Sequence, residues 1–160
     1  MRSYQVFAAM TLEHATEVMR TLSKKAPAVF DQALHAAGAA LRARPVYLRR
    51  QPFEKRAAAV RRTLSRVGAN AVASEVLAVY FLECRKELLI EWLDRVGLKH
   101  DEGTLEEDLP PEPPEAELGE AVAAFLGAGD DPDRALLLRA FAAQDAIEWP
   151  GLEARLAENA

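Results

Sequence analysis

The sequence predicts an all-α fold, a compact bundle of six to eight helices around a long central helix at about residues 69–96. Apolar residues recur at helical spacing through most of the chain. No strand-length run of alternating β-branched residues stands out. The composition is rich in Ala, Arg, Leu and Glu, all good helix formers. The 160 residues suit one domain, and half of them are hydrophobic with 28% charged. That balance supports a packed core without metal or disulfides.

The first helix is expected over residues 4–23, with Ser3 as N-cap and Val18, Met19 and Leu22 on its apolar side. Lys24 and Lys25 follow, where cations suit the helix dipole. Pro27 opens a second helix to about residue 43, carrying Val29, Phe30, Leu34 and Leu41 inward. Pro45 breaks the pattern, so residues 44–51 form a loop or a brief helix. The third helix, residues 52–67, has the cleanest stripe: Phe53, Ala57, Val60, Leu64 and Val67 share one face. Lys55, Arg62 and Arg66 fall opposite, and Gly68 is placed as the C-cap. The central helix carries Leu77, Phe81, Cys84, Leu88, Trp92 and Val96, and Gly97 closes it.

Residues 101–117 hold eight acidic residues, no basic one, and Pro110, Pro111, Pro113 and Pro114. Such a stretch cannot be one helix. It reads as an acidic, partly mobile loop of polyproline character. A helix over about 115–126 follows, with an acidic first turn. Asp130 or Asp131 then caps a helix opened by Pro132, and Pro150 opens a last short one. The expected organisation is a single domain with a basic helical half (1–96), an acidic Pro-rich loop (98–114) and an acidic helical half (115–160).

The net charge of −5 hides a segregation. Residues 1–80 carry 13 basic against 5 acidic side chains, and residues 81–160 carry 7 against 20. Such asymmetry marks either a polyanion-binding half or two complementary halves. Its focus is residues 42–66, where Arg42, Arg44, Arg49, Arg50, Lys55, Arg56, Arg61, Arg62 and Arg66 face one acid, Glu54. Tyr47 and Phe53 are interleaved. Arginines near aromatics bind phosphates and stack on bases. The same pattern also fits a solvated helix face, and Lys55, Arg62 and Arg66 lie where that face must be. A helix-turn-helix over residues 61–77 is disfavoured, because its second helix is too apolar to read bases.

Other chemistry is sparse. His14, His35, His100 and Cys84 show no metal-ligand spacing. His14 sits beside Glu13 and Glu17, and His35 reads as structural. His100, Asp101 and Glu102, before Gly103, are the weak candidates for a cation, without the order of ligands an EF-hand needs. Cys84 falls on a core stripe, where a thiol is inert. Trp92 reads as core, and Trp149 as packing for the last helix or as an interface residue. No phosphate loop, nucleophile elbow or dinucleotide fingerprint is present.

These observations lead to an expected non-catalytic module that binds protein, itself or another, with no cofactor. The alternative is nucleic-acid or polyanion binding through residues 42–66, and a further one is an enzyme or metal protein whose site no local motif reveals. The acidic loop could mask the basic stretch. The single cysteine and the absence of an evident signal or membrane span lead to a cytoplasmic expectation. The Ala- and Arg-rich usage fits a GC-rich bacterial genome.

Overall fold

The computed structural model describes residues 1–158. It is 72% helical, so the all-α class holds. Among the described residues there are ten α-helices and one minimal hairpin. The chain divides into two compact units at Cys84/Arg85.

The N-terminal unit, Arg2–Cys84, begins with α1 (Ser3–Ala9) and α2 (Leu12–Lys25) in place of the one helix expected. Met10 is extended, and the Thr11 side chain caps α2 by accepting from the His14 N–H at 3.2 Å. The freed carbonyls at the end of α1 find a distant donor: Arg61 donates to Met10 O at 2.8 Å and to Ala8 O at 3.3 Å. That bond satisfies two of the orphan acceptors a helix end leaves. Ser3 is the first helical residue and buried, and Arg2 takes the N-cap position expected of Ser3.

Helix α2 buries Ala15, Val18, Met19 and Leu22, as their spacing requires. Pro27 opens α3 (Pro27–Ala40), which buries Phe30, Ala33, Leu34 and Ala37. It ends three residues earlier than expected, so Leu41 is exposed rather than inward. Arg42 then turns left-handed with φ 51°, and Ala43 N–H donates back to Gly38 O at 2.9 Å. A brief helix does form at residues 44–51, as α4 (Pro45–Arg49).

Helix α5 (Phe53–Leu64) buries Ala57, Val60 and Leu64, the centre of the expected stripe. It stops before Val67, which falls into a 3-10 turn and is 70% exposed. Gly68 lies inside that turn and is not a C-cap. Helix α5 packs on α1, α2 and α3.

The expected central helix is interrupted. It comprises α6 (Asn70–Val79), a π-helical turn (Tyr80–Cys84) and α7 (Lys86–Arg95), separated at Arg85 with φ −131° and ψ 40°. The run Val67–Cys84 has mean hydropathy 1.3 over 18 residues, which suffices by length and composition for a membrane span. Core helices meet the same test, and here Ala73, Val76, Leu77, Tyr80, Phe81 and Cys84 are buried. Helix α6 packs on α1 and α3, and the π turn on α2.

The C-terminal unit, from Arg85 onward, ends α7 with Gly97 in the left-handed region (φ 71°) and Leu98 N–H on Leu93 O at 3.0 Å. This is the Schellman geometry that favours glycine. A minimal antiparallel hairpin follows, β1 (His100–Asp101) against β2 (Thr104–Leu105), where no strand was expected. Its two-residue turn, Glu102 and Gly103, has φ 50° and 93°, the signs of a type I′ turn.

Then come α8 (Glu115–Gly127), α9 (Pro132–Ala142) and α10 (Pro150–Glu158). Asp131, one of the two candidates read from the sequence, caps α9. Trp92 packs on Phe125 and Phe141, and Phe141 on Trp149, with centroids 5.5, 6.0 and 5.1 Å apart. Edge and tilted contacts of this kind suit the aromatic quadrupole.

The Pro-rich segment was expected to be partly mobile; instead it is held down. Trp149 Nε1–H donates to Pro110 O at 2.9 Å. Glu112 accepts from Leu152 N–H at 2.9 Å, capping α10 from outside the helix. Arg155 donates to Glu115 O at 3.0 Å.

Candidate functional site

The basic stretch of residues 42–66 is divided by the fold into two sets. Arg56 and Arg61 serve the unit itself. Arg56 lies 5.2 Å over the Phe53 ring, and Arg20 lies 4.9 Å over that ring as well. Phe53 in turn stacks on Phe30 at 5.7 Å. Arg61 closes α1, as above.

The other seven, Arg42, Arg44, Arg49, Arg50, Lys55, Arg62 and Arg66, are exposed. None of them forms an ion pair or a side-chain hydrogen bond with the described residues. Lys55, Arg62 and Arg66 project from α5 and just beyond it, on the face opposite Ala57, Val60 and Leu64. Arg42, Arg44, Arg49 and Arg50 cluster on and around α4.

Helix α4 is a platform with one anchor. Leu48 is its one buried residue, seated where Gly38 leaves room. A Cβ on Gly38 would stand 3.3 Å from the Leu48 side chain. Pro45 sets the first turn, and Pro52 caps the next helix, so the chain enters and leaves at fixed angles. What α4 presents outward is both apolar and cationic. Val46 is 55% exposed, Tyr47 59% and the neighbouring Leu41 41%. Arginine and tyrosine together are what protein interfaces are enriched in.

The cation candidates are not brought together as a donor set. His100 Nδ1 accepts from Gly103 N–H at 3.1 Å, so its proton sits on Nε2, 3.0 Å from Asp94 Oδ1. Glu102 pairs with Lys86 at 2.8 Å, and Asp101 is exposed. Among the described residues no three His, Cys, Asp or Glu side chains converge. Cys84 is buried, and burial pushes its thiol pKa up. His35, read as structural, is exposed on α3. Trp149 is buried, so it packs the last helix rather than facing a partner.

The most developed polar cluster was missed by sequence reasoning. The Arg85 guanidinium pairs with Asp133, with Asp131 at 2.5 Å and with Glu87 at 2.9 Å. Burial alone would lower the Arg85 pKa, but the Asp131 bond, helped by Glu87 and Asp133, raises it. The Arg85 hydrogen bond likewise holds the Asp131 carboxyl below its ordinary value. Further along α7, Glu91 receives both terminal nitrogens of Arg134 at 2.9 Å, and that bond lowers the Glu91 pKa. Each nitrogen of Arg85 donates to a carboxylate, so the cluster ties the start of α7 to the start of α9. No local signal announces it: its partners lie 46 and 48 residues away.

A shallow cleft in the same unit is lined by Gly97, Leu98, Lys99, Leu105, Glu107 and the first two prolines of the Pro-rich segment. Compared with family models, with curated proteins and with solved structures, the chain matches none of them.

Proposed function

We propose that this protein is a non-catalytic helical module that acts by contact with protein, through complementary charge. One observation carries the reading: the charge boundary coincides with the boundary between the compact units. Arg2–Cys84 holds 13 basic against 6 acidic side chains, a balance of +7, and Arg85–Ala160 holds 7 against 19, a balance of −12. Charge of one sign gathered on each unit costs self-repulsion within it. A complementary partner surface offsets that cost and steers association. The seven unpaired cations support the reading, because their charge is not consumed inside the fold.

The test is light scattering of the purified protein across salt, beside a nuclease-treated pull-down at low and high salt. Association or a specific partner that weakens with salt supports the module. A salt-insensitive monomer with an empty pull-down overturns it.

A second reading is favoured by Lys55, Arg62 and Arg66, which lie exposed on α5 and just beyond it. Here the ligand is a polyanion such as nucleic acid. Log affinity then falls linearly with log salt, by roughly 0.9 per phosphate contacted on duplex DNA. Binding that survives Arg62→Glu with Arg66→Glu discards it.

A further inference from the structure

We infer that the α4 platform docks the acidic bow of residues 106–109 from a second copy of this chain. The inference rests on the interaction reading above and names its surfaces.

The platform presents Val46 and Tyr47 among Arg44, Arg49 and Arg50. The chain also carries its chemical complement. Glu106, Glu107 and Asp108 are exposed and form no ion pair with the described residues. They lead into Leu109, which is 66% exposed. Three carboxylates beside one apolar side chain match three guanidinium groups beside two apolar side chains. Arginine is suited to such contacts because its planar fork meets a carboxylate with two parallel bonds.

Both surfaces are held in shape before they meet. The bow is fixed at one end by Glu106 N–H on Lys99 O, 3.2 Å, and at the other by Trp149 on Pro110. The platform is fixed by Leu48 and by the end of α3. Ordering that is already complete is not charged against binding, so a small contact gains affinity. Leaving an apolar side chain in water inside each charged cluster has no benefit to either unit alone. Docking buries both at about 25 cal/mol per Å² of apolar surface removed from water.

The contact pairs two different surfaces, so it closes reciprocally as a two-fold dimer or propagates head to tail. The weight-average mass should therefore rise above that of the monomer as concentration rises and fall back as salt is added.

Charge reversal tests it. One variant carries Arg44→Glu, Arg49→Glu and Arg50→Glu. The other carries Glu106→Lys, Glu107→Lys and Asp108→Lys. All six positions are exposed, so each chain should fold, which far-UV circular dichroism checks. Each variant alone sets like charges against each other, and its self-association should weaken at least about tenfold. An equimolar mixture restores opposite charge at every contact and should recover the mass of the parent. Association unchanged in either variant overturns the assignment of these surfaces and leaves the interaction reading standing. A parent that stays monomeric at every concentration also overturns it. In that case the pull-down alone decides the interaction reading.

Discussion

In the N-terminal unit the helices pack through apolar stripes, and most cations of residues 42–66 form no ion pair with the described residues. In the C-terminal unit several acids are drawn into the packing: Asp131 and Asp133 onto Arg85, Glu91 onto Arg134, Glu112 onto the start of α10. The first unit treats charge as surface, and the second uses it as mortar. The difference teaches where to look for function and where for stability. Charge changes at Arg44, Arg49, Arg50, Lys55, Arg62 and Arg66 should alter what the protein binds and leave the fold alone. Charge changes within the Arg85–Asp131–Asp133 and Glu91–Arg134 ion pairs of the second unit should destabilise it.

The largest effect is expected at Arg85. Arg85→Ala strips its carboxylate partners of a shared guanidinium, and breaking a largely buried pair from one side costs about 3 kcal/mol. Both tryptophans, Trp92 and Trp149, lie in this unit, so urea unfolding followed by tryptophan fluorescence reads it directly. Adding Asp131→Asn and Asp133→Asn should recover part of the loss, because the uncompensated charge is gone. By contrast, Arg62→Ala should move the midpoint by less than about 0.5 kcal/mol. Equal losses at the two positions would erase the distinction between mortar and surface.

Acid sharpens the same contrast. Asp131 and Glu91 have folded-state pKa values below their ordinary ones, Asp131 through Arg85 and Glu91 through Arg134. Their contribution is fully present above the unfolded carboxylate value, near 4. It is lost as pH falls through that value toward the depressed one. The tryptophan-detected transition should thus move to lower urea between about pH 5 and 3. A tryptophan signal insensitive to acid would show that these ion pairs add nothing.

Much of the fold was legible because helix formation and helix starts are local. The stripes of α2 and α5, the prolines that open α3, α9 and α10, and the Asp131 cap all follow from residues within a turn or two. So does the exposure of Lys55, Arg62 and Arg66. The breaks were not legible. Residues 4–23 keep a helical pattern across Met10, and the donor that makes a break there tolerable is Arg61, 51 residues from Met10. Arg85 gives no cue either: Asp131 reads only as a candidate helix cap, and Asp133 lies 48 residues away. The Pro-rich segment looked mobile because its acids and prolines fit a solvated strap. Its anchors, Trp149 and Leu152, lie 39 and 40 residues on. Of the basic stretch, the excess charge was plain, but its division into structural Arg56 and Arg61 and seven free cations needed the packing.

A smaller effect tests that strap. Glu112 accepts from the third residue of α10, a position usually served by a residue just before the helix. Glu112→Ala should cost about 1 kcal/mol, the range of a lost N-cap. Glu112→Gln keeps an acceptor and should lose less. A cost near zero for both would mean that water serves the Leu152 N–H equally well.

The smallest effect compares the two left-handed helix ends. The C-terminal unit ends α7 on Gly97, the residue that takes positive φ without strain. The N-terminal unit ends α3 on Arg42, at φ 51°. A residue with a Cβ held there costs about 1 kcal/mol or more. Arg42→Gly should relieve that strain and stabilise the protein, less the extra entropy glycine gives the unfolded chain, for a net gain of about 0.5 kcal/mol. Arg42→Ala removes the same charge and keeps the strain, so it should gain nothing. The difference between the two variants isolates the backbone term from the cation. Gly97→Ala is the converse, with nothing within 4 Å of the added Cβ, and should cost about 1 kcal/mol through φ alone. If Arg42→Gly gains stability and also weakens association, the arginine is held at this strained turn for what it binds. A gain in stability with association unchanged would remove Arg42 from the platform and leave Arg44, Arg49 and Arg50 to carry it.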